Sequence, residues 1–143
     1  MTVLNHAHLL SILSYDKLSG NFVWLVSCGT VKAGRIAGTV SKAGYVTIII
    51  KRRQYKAHRL AWFYIHGEWP KGRLDHEDNC QSNNRWGNIR PATHSQNMAN
   101  RKLNVNSTTG YKGVHKQKNG TYRAHIAKDG RRYSLGSYPS AEE

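Results

Sequence analysis

Three side chains within one stretch, RLDHEDNCQSNNRWGNIRPATHSQNMANR at 73–101, can do chemistry together. They are the carboxylate of Asp75, the imidazole of His76 and the carboxamide of Asn97. A carboxylate, an imidazole and an amide oxygen around one point are the parts needed for metal-assisted phosphodiester cleavage. Mg²⁺ takes hard oxygen ligands and keeps several waters, so one or two protein oxygens suffice. Asp75 and Asn97 offer those oxygens. The ion can then hold a phosphate oxygen and stabilise the leaving oxygen. A histidine suits the general base, because its unperturbed pKa of about 6.5 lies close to working pH. Neighbouring side chains on a strand point to opposite faces. Asp75 and His76 therefore serve one site only if the backbone kinks there or if they flank the scissile group. Each residue alone reads better as ordinary polar surface, and it is the set that points to a site.

The elements that must position this set read as strand, loop, strand, helix. Asp75-His76 sits on the first strand, a polar Asn/Asp/Ser loop follows, and Asn88-Ile89-Arg90 opens a short apolar second strand. SQNMANRK forms the helix with Asn97, its N-cap being Ser95 or Thr93. Upstream, 58–66 reads as a helix that is apolar nearly all round and therefore largely buried. Gly67 ends it, and Trp69-Pro70 turns the chain into the Asp-His strand. His58 and His66 lie at the ends of that helix, where histidines bond backbone or solvent. His58-Arg59 can instead hold phosphate beside the site. His94 is either a phosphate contact or an exposed histidine.

Further back, 3–14 has helical apolar spacing, Asp16–Gly20 is a turn, and 21–26 is strand-like. Tyr45–Ile50 is the clearest strand, and 54–57 returns alongside it. Lys51-Arg52-Arg53 between them is a hairpin turn or exposed rim. Its cations, Arg52 and Arg53, are candidate phosphate contacts, with a solvated tip as the equal alternative.

The charge balance narrows the partner. Lys and Arg number 22 against 8 Asp and Glu, a net charge of +14 over 143 residues. Such self-repulsion needs a compensating polyanion, and nucleic acid leads. Three of the eight acids, Asp75, Glu77 and Asp78, fall where a cation would be wanted. Cys28 and Cys80 form no CxxC pair, which argues against a cysteine-rich zinc site, and reduced thiols are expected. No stretch is long and apolar enough to span a membrane, and the N-terminus lacks a basic leader region. A soluble, intracellular, cytoplasmic protein is expected, monomeric and without membrane partners.

After a polar linker at 103–109 the pattern changes. Three strand-like runs, 113–116, 122–126 and 132–135, are separated by turns at Gly120 and Asp129-Gly130. Alternation places Tyr122, Ala124 and Ile126 on one face and Arg123 and His125 on the other. In the third run Tyr133 and Leu135 oppose Arg132 and Ser134. A three-stranded sheet with one basic face can lie in a DNA major groove, which is too narrow in RNA for side chains to read.

Two resemblances are carried by these motifs. Asp75-His76, Asn88-Ile89-Arg90 and Asn97, with HRLAWFYIHGEWP upstream and NMANRK downstream, resemble the HNH or His-Me finger nucleases of the phage and intron homing type. That resemblance implies an α+β fold with a ββα-metal core at about 73–102, inside a nuclease domain of 1–102 that also holds N-terminal β-hairpins and helices. It implies Mg²⁺ (or Mn²⁺) on Asp75 and Asn97, His76 as general base, and Asn88 orienting the strand and loop around His76. It further implies double-stranded DNA as substrate, products with 5′-phosphate and 3′-hydroxyl ends, and a phage- or mobile-element origin. Where the family tends to carry a loop glycine, this chain has Asn79, which can adopt the left-handed conformation. Residues 107–143, through YKGV, YRAHI and LGSYPSAEE, resemble the Apetala-two class of plant DNA-binding domain. Its outward positions correspond to Lys112, His115, Gln117, Arg123, His125 and Arg132, with Arg101 and Arg59 as further basic contacts nearer the nuclease unit. That class packs a helix behind the sheet, and Ser140-Ala-Glu-Glu143 reads as the capping box opening it, so either the module is truncated or the sheet is covered in another way. The expected activity is a metal-dependent DNA endonuclease. The rivals are a DNA-binding protein with a non-cleaving nuclease unit and an RNA-binding protein.

Overall fold

Helix α1 (His6–Ile12) starts where the Asn5 side chain accepts a hydrogen bond from the His8 N–H at 2.8 Å, an N-cap of the usual chemistry. The computed structural model describes residues 4–100, 103, 106–128 and 130–142. Arg101 and residues 104–105 of the expected linker lie outside them. The helix is shorter than its apolar spacing suggested. Leu13–Tyr15 leave it as strand β1, which pairs antiparallel with β2 (Phe22–Trp24), Leu13 opposite Trp24. Strand periodicity prevails here because Leu13 and Tyr15 are both buried with Ser14 between them. The turn between the strands closes with Gly20 N–H donating to Asp16 O at 2.8 Å.

A second sheet follows, in the order β3 (Thr39–Val40), β4 (Val46–Ile50), β5 (Arg53–Lys56). Ile50 pairs with Arg53, so the turn is only Lys51-Arg52, with φ of 49° and 65°. Two left-handed residues match the twist of a hairpin, though Asn-Gly would adopt them at less cost. The chain then enters α2 (Ala57–His66), which buries Ala57, His58, Leu60, Ala61 and Phe63 and stops at Gly67, φ 74°. Leu9, Leu13, Phe22, Ile48 and Leu60 are fully buried, so α1, both hairpins and α2 share one core. Trp69 stacks on Phe63 at 4.3 Å and on Tyr55 at 5.7 Å, which fixes the path into the next strand.

That strand, β6 (Arg73–His76), pairs antiparallel with β7 (Ile89–Ala92), with a 3-10 turn at Trp86–Asn88 just before β7. Helix α3 (His94–Asn100) follows directly, so Thr93 rather than Ser95 precedes its first turn. The chain divides into two compact units, Met1–Thr93 and His94–Glu143. The division falls before α3 and groups α3 with the C-terminal strands. Lys112 Nζ donates to Ala99 O at 3.0 Å within this unit. The three strands are β8 (Val114–Lys116), β9 (Tyr122–Lys128) and β10 (Arg131–Tyr138), antiparallel in the order β10-β9-β8. Residues 139–142 are irregular, not helical. No described helix is long and apolar enough to cross a membrane.

Candidate active site

Asp75 and His76 are the last two residues of β6, opposite Arg90 and Ile89 of β7. Both are buried, at 9% and 5% exposure, which is unusual for such residue types on a strand at a loop edge. Arg90 accounts for part of this. Its Nη2 lies 3.5 Å from Asp75 Oδ2 and its Nη1 donates to Glu77 Oε1 at 2.8 Å. The cross-strand pair places a guanidinium beside the Asp75 carboxylate.

His76 is held from the loop side. Its Nε2 lies 3.2 Å from Asn84 Oδ1, and Asn84 Nδ2 donates to Ser82 O at 3.1 Å. The second bond decides the orientation of the amide, because only the nitrogen can donate to a carbonyl. Oδ1 therefore faces the imidazole Nε2.

The buried Asn84 is itself seated by the N-terminal hairpin. Tyr15 Oη donates to Asn84 O at 2.6 Å. Gly20, φ 77°, passes so close that a Cβ would lie 2.4 Å from the Asn84 carbonyl carbon. Trp86 N–H donates to Lys17 O at 3.0 Å, which ties the far end of the loop to the same turn.

The rest of the loop is knotted around Asn88 and Asp78. Asn88 Nδ2 donates to Asp78 Oδ1 at 2.9 Å and to Asn83 O at 2.8 Å, and its Oδ1 accepts from Asp78 N–H at 3.0 Å. Asn83 Nδ2 donates to Asp78 Oδ2 at 2.6 Å. Burial alone would raise the Asp78 pKa, but hydrogen bonds from Asn83, the Cys80 N–H and Asn88 hold it below the usual carboxylate range. Asn79 takes φ 59°, the left-handed turn residue of this loop.

His58, expected as a phosphate contact, is only 5% exposed and sits against His76, with ring centroids 4.8 Å apart at 79°. Burial first, then His76, Lys56 and Arg59, push its pKa down to about 3, so it is neutral. The ring is thus buried and neutral beside His76. Tyr45 flanks both histidines at 5.5 and 6.1 Å, with Lys56 Nζ 4.1 Å over its ring. Arg59 is half-buried. Its guanidinium donates to Pro70 O and Gly72 O, each at 3.3 Å, holding the approach to β6. Arg52 and Arg53 are exposed at the hairpin.

In the second unit, strand register puts His115, Arg123 and Ser137 on one face, and alternation adds His125 and Arg132. Gln117 Nε2 reaches Ser137 Oγ on that face at 3.2 Å, and the His115 and His125 rings stack at 4.9 Å. A bulge at Leu135 resets the alternation beyond it. Asn97, half-buried on α3, belongs to this unit, whereas Asp75 and His76 belong to the first. Asn84, Arg90 and Tyr45 were not singled out from sequence. A second Asn in an Asn-rich loop and an arginine in a basic chain carry no local signal, and their roles arise from packing.

The Asp-His strand, the knotted loop and β7 all lie in one continuous segment. That segment matches the HNH endonuclease family model, over residues 55–99. The HNH match thus contains Asp75, His76, Asn84, Asn88 and Asn97, and leaves the N-terminal hairpin outside it. Among solved structures, one described as "DNA binding and cleavage by the HNH homing endonuclease I-HmuI" is similar, with a TM-score of 0.52. It covers 98% of this chain and 79% of the other at 22% identity, a likeness of fold, mixed α+β. Among curated proteins no significant relative is found.

Asn84→Ala removes the buried amide that faces His76 Nε2. Stability should fall by about 1–3 kcal/mol, and cleavage by about 10–100-fold, the usual scale for a residue that orients a site ligand or base. Urea unfolding and nicking rates on the same preparation check both, and an Asn84→Ala protein that cuts at the wild-type rate would remove Asn84 from the site.

Proposed function

We propose that the chain is a metal-dependent DNA endonuclease of the HNH type. The observation that carries this is the buried His76, its Nε2 held by Asn84, next to Asp75 within the segment that matches the HNH model. His76 takes the proton from the attacking water. Asn88 positions His76 through the loop, by bonding Asp78 and Asn83 at once. The products are 5′-phosphate and 3′-hydroxyl ends.

The donor chemistry fits a hard cation. Among the described residues no group of three or more His, Cys, Asp or Glu could hold a metal, so a softer, protein-saturated site has no ligand set. Mg²⁺ or Mn²⁺ asks for one or two protein oxygens, and the Asp75 carboxylate is one. Asn97, the second, is assigned by its order in the motif. When bound, the ion supplies positive charge at a phosphate oxygen and at the leaving oxygen. A plasmid-nicking assay with and without Mg²⁺ tests the reading. Relaxed circles should form only with metal, and an intact plasmid that is nevertheless retarded on a gel would instead favour a non-cleaving DNA-binding protein.

The basic face of the C-terminal sheet supports duplex DNA as partner, with His115, Gln117, Arg123, His125 and Arg132 presented together, and Arg52 and Arg53 adding charge at the hairpin. Removing Arg123 or Arg132 should lower the log–log salt slope of binding by about 0.9 if each meets one phosphate. A smaller change, with specificity relaxed at one base pair, would mean base contact. Titrations at several salt concentrations separate the two.

A further inference from the structure

Two histidines on the basic face of the C-terminal sheet lie directly on each other. The His115 and His125 rings stack with centroids 4.9 Å apart and planes 10° from parallel. The backbone sets this up. Val114 pairs with Ala124 and His115 with Arg123, which leaves His125 opposite the residue just before β8 begins. There its N–H donates to Gly113 O at 2.9 Å. A Cβ at Gly113 would run into the His125 carbonyl oxygen, so glycine lets the chain lie hard against β9. On the other side Ser134 of β10 stands opposite His125. Among the described residues, the charged groups that act on His125 are all bases: Arg132 of β10, His115 of β8 and Arg123 of its own strand. Burial first, then these three, hold its pKa below the usual histidine range. Two stacked rings carry one positive charge more readily than two, because like charges this close repel. A phosphate on this face reverses the balance. An anion within about 4–6 Å favours the charged imidazole, and it also offsets the arginines that oppose that charge.

We propose that the His115–His125 stack is a proton-linked phosphate seat: duplex DNA lying on this face draws one proton from solvent onto the pair, so the chain holds DNA more tightly as pH falls. This rests on the basic face being the DNA-binding surface of the proposed endonuclease. The sign follows from linkage. The bound state holds more protons than the free state, so affinity rises as pH falls through the histidine range and is lost toward higher pH. Uptake of one proton corresponds to at most about tenfold in affinity per pH unit. A stack that only packs the strands together gives no such dependence.

The test uses the full chain without added metal, so that binding is read apart from cutting. A short mixed-sequence DNA duplex is titrated at constant ionic strength from about pH 8 to about pH 6, where an unperturbed histidine changes charge. Wild type should bind about tenfold more tightly at the lower end. Calorimetry in two buffers of different ionisation enthalpy counts the protons, and uptake of about one per bound chain is expected near the lower end. The double variant His115→Gln/His125→Gln should lose most of the pH slope and the proton uptake, and should bind about tenfold more weakly than wild type near pH 6. NMR titration of the histidine Cε1–H signals in the free chain checks the pair itself. His125 should titrate together with His115 in two steps in wild type, and in a single step in His115→Gln. The proposal is overturned if wild-type affinity does not change with pH, if no proton is taken up, or if the double variant keeps the wild-type slope. The first two measurements need no variant, so a misfolded double variant, seen by circular dichroism, does not shelter the idea. A chain that binds no duplex at any pH refutes the DNA-binding reading and this proposal with it. Tight binding that is indifferent to pH refutes the proposal alone.

Discussion

His76→Ala is expected to slow DNA cleavage by about 10²–10⁴-fold, the usual worth of a general base, while DNA affinity stays within a few-fold of wild type. The separation is the informative part. His76 is 5% exposed, so it contributes little surface to a DNA interface. Its removal also leaves a gap beside His58 and Tyr45, which costs stability. The rate must therefore be measured well below the melting temperature, with folding checked by circular dichroism. Cleavage by His76→Ala within a few-fold of wild type would mean that another group takes the proton.

Asp75→Ala should abolish cleavage by a different route, through loss of the metal. Transition-state stabilisation by a bound cation is worth several kcal/mol, so a loss of about 10³-fold or more is expected. The substitution also leaves Arg90 with Glu77 as its remaining ion-pair partner, placing an under-neutralised guanidinium beside the site. That charge opposes a cation and deepens the loss. Asn97→Asp, which still offers an oxygen, should keep part of the activity. Calorimetric titration with Mn²⁺ distinguishes the two variants, and equal metal affinity in wild type and Asp75→Ala would remove Asp75 from the site.

What sequence could show and what it could not divides along a physical line. The 45–57 hairpin, the 58–66 helix with its glycine stop and the three C-terminal strands were legible, because each is announced by local periodicity and turn chemistry. Asn79 was legible as a left-handed turn residue for the same reason. The end of α1 was not. Leu13 fits a helical apolar stripe as well as a strand, and its pairing with Trp24 across the turn decides the matter. In the site, Asp75 and His76 stood out by type and order. Asn84 did not, since its place depends on Tyr15 and Gly20, more than sixty residues earlier in the chain. His58 was read as a helix-end histidine bonding backbone or solvent, or holding phosphate, and only its packing against Tyr45 and His76 shows where the ring lies.

The seating of Asn84 against Gly20 also bears on how portable the proposed nuclease unit is. The stretch that the HNH family model matches begins at Tyr55 and carries every residue a motif search would name. It does not carry the surface on which Asn84 rests. A transplant cut at those limits would keep the chemistry's vocabulary and lose its grammar, with the His76 partner left on an unanchored loop. A graft meant to work in another host protein has to bring the Leu13–Trp24 hairpin with it, although that hairpin contributes no reacting atom. The segment by which such a protein is recognised is smaller than the segment by which it can be inherited intact.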